Sequence, residues 1–176
     1  RCIRGRVLAA QYARENGVPY LGVCLGLQVA VIEFARNVLG LEGANSTEFD
    51  DKTPHPTVIF MPEGSTTHMG ATMRLGSRQT NLHTEDCHAF RLYGGVKEIH
   101  ERHRHRFEVN PDMIQDLEAA GLRFVGKDTE AQRMEIIELA DHPYYFGTQY
   151  HPEFKSRPNR PSPPFLGLVE AAFKRL

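Results

Sequence analysis

The hydrophobic and polar positions of the chain change repeatedly from a helical period to a strand-like one, which is typical of an α/β protein. Residues 4–16 have the apolar spacing of a helix, and Gly17 is a typical helix end. The apolar residues 20–24 then predict a strand, and residues 25–36 predict a second helix directly after it. The chain therefore begins with a helix, a strand, a sharp turn and a helix.

The same alternation continues to the C-terminus. Residues 102–110 alternate strictly, so we expect one strand with arginines on one face and histidines on the other. Further strands are predicted at 57–61, 123–128, 133–140 and 144–150, and helices at 86–95, 111–122 and 166–176. We expect a single α/β domain over residues 1–176, with a doubly wound, mostly parallel sheet and helices on both faces.

Composition limits the classes of partner. The 21 Lys and Arg against 22 Asp and Glu give a formal charge of −1, which provides no general attraction to nucleic acid or to an anionic membrane. No apolar run approaches the ~18 residues of a membrane span. Three cysteines, an odd number without paired spacing, indicate a reducing compartment, so we expect a cytoplasmic protein. Because the chain starts at Arg1, we also expect that an upstream segment is missing.

The segment GVCLG, residues 22–26, places a cysteine at the turn from strand to helix. Gly22 and Gly26 flank Cys24 by two residues on each side, where side chains would collide in such a turn. The pattern therefore predicts a presented nucleophile, and we expect the helix N-terminus to favour its thiolate. The N–H of Leu25 would point to a developing oxyanion. A lone cysteine is otherwise more often a small buried hydrophobe.

A cysteine nucleophile needs an imidazole to accept and return its proton. His151 follows the apolar strand 144–150, and Glu153 comes two residues later. Both side chains would emerge at the carboxyl end of a strand, as Cys24 does, so we expect a Cys-His-Glu site. Taken separately, His151 and Glu153 would be ordinary surface residues.

The motif GVCLGLQ together with QYHPEF resembles the class I glutamine amidotransferases, whose hallmark is G-x-C-x-G-x-Q with a downstream H-P-E. Further stretches narrow the resemblance to the glutaminase domains of CTP synthases, and it runs nearly end to end. They are NSTEFD, GATMRLG, ERHRHRFEVNP, QYHPEFKSRP and SPPFLGL.

The resemblance implies that Cys24 attacks the side-chain amide of L-glutamine and that His151, oriented by Glu153, shuttles the proton. It also implies that three further residues hold the amino-acid end of glutamine: Gln28, Glu48 and Arg106. The charges suit this role, because a free amino acid presents an ammonium and a carboxylate. Without the resemblance, each of the three would be an ordinary helix, loop or strand residue.

The resemblance ties the segment that contains Arg74 to activation by GTP, with a salt bridge as the alternative for this arginine. It further implies an amidoligase domain in the same polypeptide, which would use ATP and Mg²⁺ to aminate UTP, and a homotetramer of the full-length enzyme. We expect no cofactor and no metal site in residues 1–176.

Two departures from the family pattern stand out. The glycine that would complete the oxyanion hole lies upstream of residues 1–5 in similar proteins, and Ala71 replaces a common glycine. Three other functions remain as alternatives. A γ-glutamyl hydrolase or peptidase would share the elbow and the Cys-His pair. A metal or nucleic-acid module would use the RHRHR run, although no ligand spacing supports it. A truncated domain that is inactive alone is the third.

Overall fold

The computed structural model describes residues 3–61 and 73–174. Cys2, one of the three cysteines, and Ala71, a departure from the family pattern, lie outside the described residues. The helices are α1 (Arg4–Asn16), α2 (Leu25–Asn37), α3 (His88–Leu92), α4 (Ile114–Ala119) and α5 (Pro163–Phe173). The strands are β1 (Tyr20–Val23), β2 (Asn45–Ser46), β3 (Pro56–Phe60), β4 (Arg74–Leu82), β5 (Glu98–His105), β6 (Phe107–Val109), β7 (Leu122–Lys127), β8 (Met134–Leu139) and β9 (Tyr145–Thr148).

The main sheet of the described residues has six strands in the order β1-β9-β8-β7-β4-β5. It is mixed, and the expectation of a mostly parallel sheet is wrong in this respect: β1 and β9 pair in parallel, whereas the other four pairings are antiparallel. The connections explain two of these pairings, because residues 128–133 and 140–144 are too short to carry the crossover that a parallel pair requires.

Helices cover both faces of this sheet, as expected. On β9, Tyr145 belongs to a buried cluster with Leu27 of α2 and Ala13 of α1, whereas the next residue, Phe146, belongs to a second cluster with Ala89 of α3. This alternation is the strand period of two, and it explains why β9 is apolar throughout. The α/β architecture is confirmed. Among the described residues, no helix combines the length and the apolar character that a membrane span requires.

The predicted strand 102–110 is two strands in two sheets. β5 ends at His105 and pairs with β4, while β6 begins at Phe107 and pairs with β3 in a smaller sheet of the described residues, ordered β2-β3-β6. Arg106 lies at the bend between them. The alternation of side chains predicts extended backbone on both sides of this residue but carries no information about the partner of each half. The bend places Arg106 near the carboxyl end of β1.

Candidate active site

Cys24 lies at the turn between β1 and α2 in a strained backbone conformation, with φ 53° and ψ −102°. Residues other than glycine seldom adopt a positive φ, and such backbone strain often marks functional positions. Two backbone hydrogen bonds hold the turn. The N–H of Cys24 donates to the carbonyl of Thr148 at 2.7 Å, and the N–H of Gln28 donates to the carbonyl of Cys24 at 3.2 Å. The predicted elbow is therefore confirmed as a local geometry.

The two glycines of the elbow are not equivalent. A Cβ on Gly22 would lie 2.6 Å from the carbonyl carbon of Gly26 and 2.9 Å from the nitrogen of Leu27. A Cβ on Gly26 would meet only the hydroxyl of Tyr20, at 3.9 Å, which is an ordinary contact. Only Gly22 is required by the close approach of the strand to the helix, and the expectation that both glycines relieve a collision is wrong for Gly26.

The parallel pairing of β1 and β9 brings His151 to the same edge of the sheet as Cys24. Val23 lies opposite Thr148, so the chain leaves both strands at the same level. Beyond β9, the N–H of His151 donates to the carbonyl of Arg102 at 2.8 Å, which anchors this segment to β5. Two segments about 125 residues apart in sequence thus meet at one edge.

The imidazole of His151 is oriented by Glu153. Nδ1 of His151 lies 2.7 Å from Oε1 of Glu153, which belongs to a short 3-10 turn, Pro152–Phe154. A carboxylate only accepts, so Nδ1 carries the proton and Nε2 keeps its lone pair. Nε2 is buried and has no hydrogen-bond partner among the described residues. The side chain therefore has a ring nitrogen that is available to accept a proton.

The thiol of Cys24 is not activated in the way that the sequence suggested. Burial raises its pKa to about 11, and the charges of Glu153 and Glu48 act in the same direction. The N–H of Leu25 and the amide of Gln149 lower the pKa, but they do not offset burial. Desolvation outweighs the helix N-terminus here, so the resting group is a neutral thiol.

A cavity of about 200 Å³ opens at Cys24. It brings together four of the residues predicted from sequence, namely Leu25, Gln28, Glu48 and Arg106. The remaining lining residues are Met73, Arg104, His105 and Phe107. The cavity thus presents a carboxylate and guanidinium groups close to a thiol, which is the set of charges that a free amino acid requires.

Gln28 is buried and its amide nitrogen is fully engaged. Nε2 donates to the carbonyl of Phe107 at 2.9 Å and to Oε1 of Gln149 at 3.2 Å. An amide NH₂ has two protons, so only Oε1 of Gln28 is left to contact a ligand. Glu48 is exposed and follows β2, where its N–H donates to the hydroxyl of Ser46 at 3.2 Å.

Several residues of the site escaped the sequence analysis. Gln149 is buried and its amide nitrogen lies 3.7 Å from the sulfur of Cys24. The parallel pairing of β1 with β9 accounts for its position, because Gln149 directly follows β9 as Cys24 directly follows β1. His105 and Phe107 line the cavity because of the bend at Arg106, which the alternation of residue types could not reveal.

Arg74 lies apart from this cavity. Its guanidinium is 2.8 Å from Oε1 of Glu135, a buried carboxylate that also accepts a hydrogen bond from Thr80. The alternative of a salt bridge is therefore what the geometry supports, although the bridge is largely buried rather than on the surface.

We expect Arg74→Met to lower the free energy of unfolding by about 3 kcal/mol, because it leaves Glu135 buried without its cation. Burial already raises the pKa of Glu135, and the variant should lose more stability at pH 8 than at pH 5, where the folded state can bind the proton. Lys97→Met is the matched control, because Lys97 pairs with Glu85 on the exposed surface, and it should cost less than about 1 kcal/mol. Urea titrations at both pH values would measure this. Equally small losses would contradict a structural role for Arg74.

Within residues 3–61 and 73–174, no group of three or more histidine, cysteine, aspartate or glutamate side chains could hold a metal ion.

Comparison with known proteins identifies the family. The model of the class-I glutamine amidotransferases matches residues 2–171. The chain belongs to this family. CTP synthase 1-A of Xenopus laevis is 57% identical to this amidotransferase over 176 residues, which are 100% of the chain and 30% of that protein. CTP synthase 1 of Homo sapiens is 55% identical over the same share of each chain.

The solved structures agree with the family. The glutaminase domain of Trypanosoma brucei CTPS, with bound acivicin, superimposes with a TM-score of 0.93 at 39% identity, over 98% of this amidotransferase and 66% of that chain. A glutamine amidotransferase from Thermotoga maritima has a TM-score of 0.55 at 12% identity, over 98% and 68% of the two chains, and shares the fold alone. This amidotransferase spans less than a third of the length of the two CTP synthases named above, since it covers 30% of each.

Proposed function

We propose that this chain hydrolyses L-glutamine through a thioester on Cys24 and that the ammonia serves the ATP-dependent amination of UTP to CTP. The observation that carries the proposal is the strained Cys24 at a cavity that Glu48 and Arg106 line, with the His151–Glu153 pair near enough for the charge of Glu153 to act on the thiol. Family membership and the similarity to CTP synthases over the whole chain support the same reaction.

In the first step, the sulfur of Cys24 bonds to the amide carbon of glutamine while its proton passes to Nε2 of His151. Because burial keeps the thiol neutral, this transfer accompanies the attack rather than preceding it. The negative charge that develops on the amide oxygen would be stabilised by the N–H of Leu25. Glu153 stabilises the imidazolium that forms.

In the second step, the tetrahedral adduct breaks its carbon–nitrogen bond, and His151 returns the proton to the departing nitrogen as ammonia. Water then attacks the thioester with His151 as the base, releasing glutamate and restoring the thiol of Cys24. The atoms balance, since one water and one glutamine give one glutamate, one ammonia and one proton.

Charge complementarity supports the roles proposed for the cavity. Glu48 would bind the α-ammonium of glutamine, Arg106 would bind its α-carboxylate, and Oε1 of Gln28 would accept a further hydrogen bond from the ammonium. These contacts favour a free amino acid over a substrate that extends past its carboxylate.

The rest of the proposal concerns the longer protein. The ammonia would pass to an amidoligase domain of the same polypeptide, which would hold ATP and Mg²⁺, with GTP as activator, in a cytoplasmic homotetramer. Because the described residues contain no metal cluster and Arg74 is paired with Glu135, we assign neither Mg²⁺ nor GTP to a residue of this chain.

Treatment with a diazo-ketone analogue of glutamine tests the proposed nucleophile. We expect the mass increase, located by peptide mapping, to fall on Cys24, and we expect excess glutamine to protect it, because the cavity binds the analogue beside the sulfur. Cys87 is the internal control, since its sulfur accepts a hydrogen bond from the N–H of Phe90 and lies outside the cavity. Equal labelling of both cysteines would refute an activated site.

The alternative of a γ-glutamyl hydrolase is separated by substrate length. The full-length protein should release ammonia from glutamine faster than it cleaves a γ-glutamyl peptide. The reverse order would replace the proposed reaction with that alternative.

A further inference from the structure

Gln149 occupies a position in the site that the mechanism above does not use. It follows β9 directly, its side chain is 1% exposed, and its backbone N–H donates to the carbonyl of Glu135 at 2.8 Å. Its amide nitrogen lies 3.7 Å from the sulfur of Cys24. A glutamine amide that is buried away from water beside a thiol costs free energy unless its donors and its acceptor form hydrogen bonds there.

The orientation of this amide is fixed by its neighbour. Gln28 donates one proton of Nε2 to the carbonyl of Phe107, which can only accept, and the other to Oε1 of Gln149. The oxygen of Gln149 must therefore face Gln28, and its NH₂ group must face the sulfur. Reversing the Gln149 amide would bring two NH₂ groups together.

A pair of histidines secures this arrangement from the other side. Nδ1 of His105 lies 3.1 Å from the same carbonyl of Phe107, and Nε2 of His105 lies 3.1 Å from Nδ1 of His103. Because the carbonyl requires a proton on Nδ1 of His105, Nε2 of that ring must accept from His103. Burial lowers the pKa of both histidines, to about 4 for His105 and about 2 for His103, so both rings are neutral and the polarity of the chain is set.

The surroundings of the Cys24 sulfur disfavour its thiolate, and a hydrogen-bond donor would stabilise that thiolate. Among the described residues, the charged and titratable groups that act on Cys24 or line its cavity are Glu153, Glu48, Arg104, His105 and Arg106, and His151 pairs with Glu153. The two carboxylates and burial disfavour the thiolate, and the hydrogen bond from Gln149 favours it. A donor aimed at the sulfur gains strength when the sulfur becomes an anion, because hydrogen bonds to charged groups are the stronger ones.

We propose that Gln149 is a catalytic residue of this site: its amide N–H donates to the sulfur of Cys24, stabilises the thiolate as the proton leaves, and holds the sulfur towards the cavity. This assignment rests on the proposed function. It gives the nucleophile a side-chain donor from the residue that follows β9, which is separate from the N–H of Leu25 that would stabilise the oxyanion.

The test is Gln149→Met in the full-length protein, a change that keeps length and packing but removes the donor. We expect the alkylation of Cys24 by iodoacetamide, followed by peptide mapping from pH 7 to 10, to become about three- to tenfold slower at every pH. We expect kcat for glutamine to fall about tenfold or more, with KM changed less than about threefold, because the lost interaction forms mainly as charge develops on sulfur.

Gln132→Met is the matched control, because Gln132 is exposed in the turn before β8, and it should change neither rate. Should Gln149→Met fail to fold, Gln149→Asn tests the same donor, since its shorter side chain withdraws the amide from the sulfur. A folded variant with an unchanged alkylation rate would overturn the proposal, as would a rise in KM with unchanged kcat. If wild-type protein does not hydrolyse glutamine but the alkylation rate still depends on Gln149, the proposed function fails and the role of Gln149 on the thiol stands.

Discussion

Replacing Cys24 with serine will lower kcat for glutamine hydrolysis by at least about a thousandfold. The hydroxyl keeps the position at the elbow but is a far weaker acid than the thiol, so the transfer of its proton to His151 during the attack meets a higher barrier. The measurement is ammonia release from glutamine by the full-length protein under saturating substrate.

Cys87→Ser is the matched control for this change. Cys87 caps the N-terminus of α3, where its sulfur accepts from the N–H of Phe90 at 3.3 Å. Serine is a favoured residue at this position, so the variant should fold and keep its activity. If the longer protein aminates UTP, Cys24→Ser should still form CTP from added ammonia. Ammonia release within about tenfold of wild type by Cys24→Ser would rule out the thioester mechanism.

Gly22→Ala will destabilise the fold, with an expected loss of about 3 kcal/mol in the free energy of unfolding. Its Cβ would lie 2.6 Å from a backbone carbon of α2, and neither the strand nor the helix can move without disturbing the turn between them. The elbow would open, and glutamine hydrolysis should fall together with stability. Urea unfolding followed by circular dichroism, with ammonia release on the same samples, measures both effects.

Gly26→Ala separates this collision from the general effect of removing a glycine. Gly26 lies within α2, and its new Cβ would meet only the hydroxyl of Tyr20, at 3.9 Å. Alanine is the better helix former, so the variant should be unchanged or more stable by up to about 1 kcal/mol. A large loss of stability in Gly26→Ala, or no loss in Gly22→Ala, would show that the elbow does not depend on the close approach of Gly22 to α2.

The strand-to-helix turn at Cys24 and the pair His151 and Glu153 were predictable because each is a local pattern. A glycine two residues before a cysteine that lies between an apolar strand and a helix leaves room for a tight turn, whatever surrounds it. The division of residues 102–110 between two sheets was not predictable, because alternation of side chains has the same period in either sheet. The role of Arg74 also depended on a distant partner, Glu135, 61 positions along the chain.

The ionisation of Cys24 shows the same limit for chemistry. The sequence places the sulfur at a helix N-terminus, which favours a thiolate, but it does not give the burial of that sulfur or its distance from Glu153 and Glu48. These determine the sign of the pKa shift, because desolvation and charge depend on what distant segments place around the group.

The amino-acid sequence by itself determined most of the elements, the elbow and the residue types proposed as nucleophile, base and orienting acid, because these follow from short-range sterics and from the chemistry of individual side chains. Only the tertiary structure decided the mixed sheet, which depends on how the strands pair, and the neutral thiol and the position of Gln149, which depend on segments that meet through the pairing of β1 with β9 and the bend at Arg106.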